Sequence, residues 1–366
     1  MVDVIKTWDG AHVLSLSLTG AAPLRGLKKG RPVSAGEPVA VGDGPAPLVL
    51  RAALSGFISD VGPGEIIISR DDAAVGEPPS ALSPAGLEGA ELAQALAGFG
   101  VPVIPGGSAG PLIISAADPE PGLAWSAALF HEHRETISAG LTAVGRLCPN
   151  RPLIWAAEKP EDFPSGFQTH LIRGGYPETL PAVLKKRLTG LSDPGGRDVL
   201  GGRELFFLGR AWRTGLPLTH LPLSLGPANY FVPAGSRVID LLSFANLQPR
   251  PGDAVVMGGL VRGTTVSRLT RGLGFLAGGL NLVRAASFDR PPSPCRACRA
   301  CARACPAGLA VDLPAALSAA QWLKPGAGKN FGDCLFCGAC ALACPARRPL
   351  ISMVRLFACP ERGSAP

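Results

Sequence analysis

Two short cysteine runs constrain this chain more than anything else in it. The first reads Cys295-Arg-Ala-Cys298-Arg-Ala-Cys301-Ala-Arg-Ala-Cys305-Pro306, the second Cys334-Leu-Phe-Cys337-Gly-Ala-Cys340-Ala-Leu-Ala-Cys344-Pro345. Each is C-x2-C-x2-C-x3-C-P, a spacing that folds a turn around one corner of a cubane [4Fe–4S] cluster and sends its fourth thiolate to a neighbouring cluster. Two copies imply two clusters with crossed ligation. Cluster I then takes Cys295, Cys298, Cys301 and Cys344, and cluster II takes Cys334, Cys337, Cys340 and Cys305. Ala297, Ala300, Gly338 and Ala339 are small enough for backbone N–H groups to approach the sulfides, one of the contacts that sets potential. Structural zinc wants four tetrahedral ligands, usually supplied as two separated C-x2-C pairs, so the third cysteine and the proline of each run are surplus to it.

Eight of the ten cysteines are accounted for in this way, which leaves Cys148 and Cys359 as free thiols and no disulfide framework. Cluster assembly calls for a reducing compartment. The start, Met-Val-Asp-Val-Ile-Lys, lacks the pattern of a secretory signal. The longest apolar run, about Leu273 to Val283, is broken by glycine and falls short of the roughly 20 residues a spanning helix needs. The expectation is a soluble, cytoplasmic protein with no membrane span of its own. A formal charge of +7 would suit an acidic protein, a membrane surface or nucleic acid. Arg296, Arg299, Arg303, Arg347, Arg348 and Arg355 crowd the cysteine runs, where positive charge favours a reduced cluster and attracts an acidic redox partner such as a ferredoxin or flavodoxin. No interleaved aromatics accompany these arginines, which argues against nucleic acid.

Ahead of the cysteine runs, a chain of 366 residues has room for several domains. Residues 1–72 read as β-rich, with Val13–Leu18 alternating at period two and short apolar pieces punctuated by glycine up to Ile66–Ile68. This cadence resembles a barrel-sandwich hybrid, or lipoyl-like, fold. Lys28 and Lys29 lack the Met-Lys-Met setting of a carrier lysine. Residues 73–90 have linker composition. From 91 to 225, strand signals (Leu112–Ile114, Leu153–Trp155) alternate with helical ones (Glu91–Leu96, Trp125–Val144, Leu180–Leu188, Glu204–Trp212), as in an α/β layer with a mainly parallel sheet. Residues 226–288 read as a compact β unit with a helix over Ser236–Ala245 and strands at Asp253–Gly258 and Leu280–Val283. Residues 289–366 hold the cysteine runs, with a further helix expected over Val311–Leu323.

Other candidate chemistry is weak. The glycine-rich stretch Gly98–Ser108 has prolines where a phosphate cradle needs N–H donors, and no G-x-G-x-x-G. His131 and His133 flank Glu132 at a spacing that cannot put both rings on one helical face. Asp118 and Glu120 read as turn-shaping residues.

Taken together, these stretches make the chain resemble the RnfC-like family, the C components of Rnf electron transport complexes, over nearly its whole length. The resemblance is carried by Val39–Gly56, Glu120-Pro121, Glu132-His133, Tyr176-Pro177, Leu188–Gly190, Val232–Leu242, Val256–Gly259 and the double cysteine run. It implies a multidomain α+β chain: a β barrel-sandwich hybrid, an α/β domain like the 51-kDa flavin subunit of complex I, a β-grasp (SLBB-like) domain and a dicluster ferredoxin module. It also implies other subunits of an Rnf-like membrane complex as partners, and a peripheral position at the inner face of the cell membrane. At the family's flavin loop this sequence has Gly98-Phe-Gly-Val-Pro-Val-Ile-Pro, at the strand end that follows it has Ser115-Ala-Ala-Asp-Pro-Glu-Pro121, and at the D-H-R-like step it has Ser126-Ala-Ala128. Those departures dilute the groups that would hold FMN. The expected function is therefore electron relay through two [4Fe–4S] clusters, with no catalytic residue of its own. An FMN-containing NADH- or cobalamin-type reductase subunit is the alternative, and a cluster-stabilised nucleic-acid binder a weaker one.

Overall fold

The computed structural model describes residues 5–358 apart from 44–46, 75, 77–78, 80, 82, 85, 103–109, 160–165, 193–197, 289–290 and 313–330. Most of the expected Val311–Leu323 helix, the later part of the Gly98–Ser108 stretch and Cys359 lie outside the described residues.

The chain begins with two small antiparallel sheets. One orders Val13–Ser17, Glu65–Arg70, Gly56–Val61 and Pro32–Val33, the other Ala21–Pro23, Pro38–Gly42 and Val49–Arg51. Alternation explains the first: Leu14, Leu16, Ile66, Ile68 and Ile58 are buried on the core face of the pleat. Lys28 and Lys29 sit exposed in the turn before Pro32–Val33. Arg51 ties this unit to the next, donating from Nη1 to the Gly36 carbonyl (2.7 Å) and from Nε to the Gly98 carbonyl (2.9 Å), with its guanidinium over the Phe99 ring.

A second layer has four strands in the order Gln168–Leu171, Leu153–Ala157, Leu112–Ser115 and Val199–Gly201. All pairings are parallel, as the alternation of strand and helix signals implies. The helices Arg134–Leu147 and Gly202–Thr214 pack against each other so closely that a Cβ on Gly140 would fall 2.2 Å from the Leu205 carbonyl, and one on Gly209 1.7 Å from the Thr136 carbonyl. The single helix expected over Trp125–Val144 is two, Ser126–Glu132 and Arg134–Leu147, broken at His133. The His133 ring is held edge-on between Phe206 and Phe231, and its backbone leaves helical geometry there.

The third sheet is mixed and six-stranded, ordered Lys6–Thr7, Ala228–Pro233, His220–Leu225, Gly279–Val283, Ala254–Met257 and Thr264–Thr265. Two pairings bear on how the chain divides. His220–Leu225 and Ala228–Pro233 form one antiparallel hairpin, so a boundary at 225/226 would cut it; alternating Leu221, Leu223 and Leu225, all buried, build its first strand. Lys6–Thr7, from the far end of the chain, pairs in parallel with Tyr230 and Phe231. The core runs without a break from the two small sheets through the parallel layer, with Leu14, Ile58, Leu92, Ile114, Leu129 and Phe207 in one cluster. No helix among the described residues is long and apolar enough to cross a membrane.

Candidate functional site

The two cysteine runs fold alike, for a backbone reason. In the first, Ala297 (φ 52°) and Arg299 (φ 59°) are left-handed; in the second, Phe336 (φ 49°) and Gly338 (φ 72°) occupy the matching places. A short helix follows each, Ala300–Arg303 and Ala339–Leu342. Left-handed non-glycine residues are uncommon and carry strain, so a repeat of them in register marks a turn the cysteines require. The turn aims N–H groups at sulfur: Ala297 N donates to Cys295 Sγ, Phe336 N to Cys334 Sγ and Leu309 N to Cys305 Sγ, each at 3.4 Å.

The runs enclose two hollows. Cys295, Cys298, Cys301 and Cys344 line one; Cys305, Cys334, Cys337 and Cys340 line the other. Each therefore gathers three cysteines of one run and the last cysteine of the other. Among the described residues no three Cys, His, Asp or Glu converge on a point that one ion would occupy. A cubane needs its thiolates on four different irons, spread around a cage. The chemistry of the donor set fits that group, with sulfur ligands, backbone N–H donors and apolar walls from Leu309, Val311, Leu335 and Val354. Burial and neighbouring thiols push Cys334 up to about 11 and Cys340 up to about 12, and burial raises Cys301 and Cys337 as well. Without metal these groups hold their protons, and binding must release them.

The surroundings of the hollows differ. Cys298 is exposed, and around its hollow stand the exposed Arg296, Arg299 and Arg303. Arg299 pairs with Asp312 at 2.9 Å and Arg303 donates to the Cys298 carbonyl. Arg347 and Arg355 are also exposed, and Arg348 is half-buried. The second hollow faces inward. Cys337 and Ala339 pack with Leu180, Ala182 and Val183, and the Tyr176 hydroxyl donates to the Cys337 carbonyl. A Cβ placed on Gly338 would meet Val261 Cγ1 at 2.7 Å.

Beside that inward face is a cavity of about 640 Å³ at the carboxyl ends of Leu112–Ser115 and Val199–Gly201, where α/β layers commonly bind ligands. Ser115, Glu120, Leu180, Gly201, Gly259 and Arg262 line it. Asp118 and Glu120 do more than shape a turn. Asp118 accepts the Ser126 N–H at 2.8 Å, and burial lifts its carboxyl to about 6. Glu120 is 7% exposed, raised chiefly by burial, and accepts the backbone N–H groups of Gly259 and Arg262. Only glycine fits at 259, where a Cβ would fall 1.7 Å from the Glu120 carboxylate. Arg203 is fully buried and donates to the carbonyls of Phe275, Leu276 and Ala277. Ser115 Oγ is buried with no partner among the described residues. Glu120 and Met257–Gly259, from stretches that are weak signals one by one, line this cavity, and Tyr176 lies within electrostatic range of Glu120 and Arg262. Sequence reasoning missed Arg262, which belongs to no periodic or spaced pattern. His131 is exposed and His133 lies at a core edge, so neither joins the site.

Residues 294–348 match the 4Fe-4S dicluster domain family, which makes the C-terminal part an iron–sulfur module. The chain also resembles the C components of Rnf ion-translocating oxidoreductases. It is 26% identical over 227 residues to the C component of the ion-translocating oxidoreductase complex of Yersinia pseudotuberculosis, and 28% identical over 227 residues to that of Serratia proteamaculans. Each alignment covers 54% of this chain and 32% of the relative, so the chain spans about a third of the curated relatives it matches. Among solved structures, an NAD+-reducing [NiFe]-hydrogenase in the air-oxidized state aligns over 56% of this chain and 45% of that one, at 18% identity and a TM-score of 0.39.

Proposed function

We propose that the chain is an electron-transfer subunit of an Rnf-like membrane-associated oxidoreductase, relaying electrons between two [4Fe–4S] clusters. The observation that carries this reading is the crossed membership of the two four-cysteine hollows. Cys295, Cys298, Cys301 and Cys344 would hold cluster I, and Cys334, Cys337, Cys340 and Cys305 cluster II. When bound, each cluster supplies a one-electron carrier; the protein supplies position and potential. The Tyr176 hydroxyl and Leu180 fix the Cys337 side against the α/β layer, while the arginines around Cys298 present a positive face. That face suits an acidic redox protein such as a ferredoxin or flavodoxin, with other subunits of the complex providing attachment at the cytoplasmic side of the membrane. We further infer a division into a sandwich unit, a 51-kDa-like α/β unit ending near residue 216, a β-grasp unit that includes the His220–Pro233 hairpin, and the cluster module.

The test is iron, sulfide and flavin content of anaerobically purified protein. Two cubanes give about eight irons per chain, and Cys305→Ala and Cys344→Ala each lower the count toward about four by striking different clusters. Equal iron in variant and wild type contradicts the ligand assignment.

One observation favours the FMN-containing reductase as a second reading: a ligand-sized cavity adjoins the cluster II hollow. The fit to a flavin phosphate is incomplete. Glu204 already takes the Gly201 N–H at the start of the Gly202–Thr214 helix, and Arg203 is spent on carbonyls. Stoichiometric FMN in the purified protein, with cluster bleaching by NADH, would favour this reading over the relay.

A further inference from the structure

A second cavity, of about 390 Å³, lies away from the clusters where three elements meet. The helix Gly202–Thr214 contributes Phe206 and Arg210. The start of Arg134–Leu147 contributes His133 and Thr136. The paired strands Lys6–Thr7 and Ala228–Pro233 contribute Thr7 and Phe231. Arg203, nearer the start of the Gly202–Thr214 helix, faces the large cavity two turns from Arg210, about 10 Å along the axis.

Polar atoms here lack partners among the described residues. Arg210 is half-buried, its Nε fully so, and its guanidinium has no hydrogen bond or ion pair with any described residue. His133 Nε2 is likewise buried without a partner among the described residues. Arg213, also on the cavity wall, donates to Thr136 Oγ1 (2.9 Å) and Glu135 (2.7 Å), so Glu135 is already engaged. Glu132 is engaged as well, accepting the Ile5 N–H at 3.2 Å. The Arg134–Leu147 helix starts at His133 with no side-chain cap, and its amino end adds positive potential. Beside His133, and touching its ring, is an aromatic wall, Phe206 stacked on Phe231 with centroids 5.0 Å apart. An Nε withdrawn from water without an acceptor is costly, and a bound anion that accepts from it would remove that cost.

We propose that this cavity is a binding site for a small organic anion, with a carboxylate or phosphate head on Arg210 and a flat apolar body against Phe206 and Phe231. The site is independent of the cluster assignment. Its test uses benzoate, phenyl phosphate and inorganic phosphate as probes in calorimetric titration of the cluster-loaded full chain. At least one aryl probe binds at one site per chain, tighter than inorganic phosphate, and the stronger of the two identifies the head group. Arg210→Met, which keeps the apolar stem, weakens that binding at least tenfold with iron content unchanged, as the loss of a charged hydrogen bond implies. In wild-type protein the same probe protects Arg210 from phenylglyoxal, read by peptide mass spectrometry, while Arg237, paired with Asp240, is unaffected by the probe. No saturable binding of either aryl probe, unaltered binding by Arg210→Met, or unprotected Arg210 overturns the proposal.

Discussion

Gly338→Ala separates two reasons for a glycine in a cluster turn. At φ 72° any L-residue pays for the left-handed conformation, about 1–2 kcal/mol. That cost cannot be the whole reason, because Arg299 occupies the matching place in the first run at φ 59°. What distinguishes Gly338 is Val261, whose Cγ1 would lie 2.7 Å from the new Cβ. Val261 has little freedom to retreat, since Glu120 holds the backbone on either side of it through Gly259 and Arg262. Overpacking of this kind adds about 1–3 kcal/mol, so Gly338→Ala is expected to destabilise by about 2–5 kcal/mol in all. Arg299→Gly relieves the backbone strain but loses the pair with the mostly buried Asp312, for a net gain of about 1 kcal/mol or less. The assay is denaturant unfolding of the anaerobically loaded protein, followed by cluster absorbance and by circular dichroism. Adding Val261→Ala to Gly338→Ala recovers the steric part and leaves the backbone part. If the double variant is no more stable than the sum of the singles, contact with the 258–263 loop is not what selects glycine, and the reasoning fails.

Three further outcomes follow from buried polar groups. Asp118 holds its proton up to about pH 6 in the folded protein against 3.8 as an ordinary carboxyl. The folded state therefore binds the extra proton between those values, stability falls as pH rises through them, and above pH 6 the full cost is about 3 kcal/mol. Asp118→Asn, which keeps an acceptor for Ser126, flattens that slope and raises stability at pH 7.5 but not at pH 4, as denaturation at the two pH values would reveal. Arg203→Met strands the carbonyls of Phe275, Leu276 and Ala277 and destabilises by about 3 kcal/mol or more; an unchanged melting temperature would mean that water replaces the guanidinium. Tyr176→Phe removes the donor to the Cys337 carbonyl, costs about 1 kcal/mol, and moves the potential of one cluster only, as redox titration followed by electron paramagnetic resonance would detect.

The cysteine runs were legible because cluster chemistry is written in residue spacing, and their crossed grouping around two hollows appears in the fold. Leu112–Ser115 and Leu153–Ala157 were legible as apolar runs, being buried on both faces. Gln168–Leu171 was not, because it is an edge strand with exposed polar residues, and Val199–Gly201 is too short to give a period. The break at His133 escaped because aromatic packing from Phe206 and Phe231, distant in sequence, holds the ring there. The cavity beside the Cys337 hollow was legible only as scattered resemblances. Glu120, Tyr176 and Arg262 come from three different parts of the chain and share no local pattern.

The pairing of Lys6 with Tyr230 bears on biosynthesis. A strand made long before its partner has to wait, edge unpaired, until the hairpin that receives it has left the ribosome. Exposed edges invite pairing with other chains, and two residues with exposed side chains, one of them lysine, make a poor template. Brevity and charge thus keep the waiting strand harmless, while the sheet it completes is among the last parts of the main body able to form.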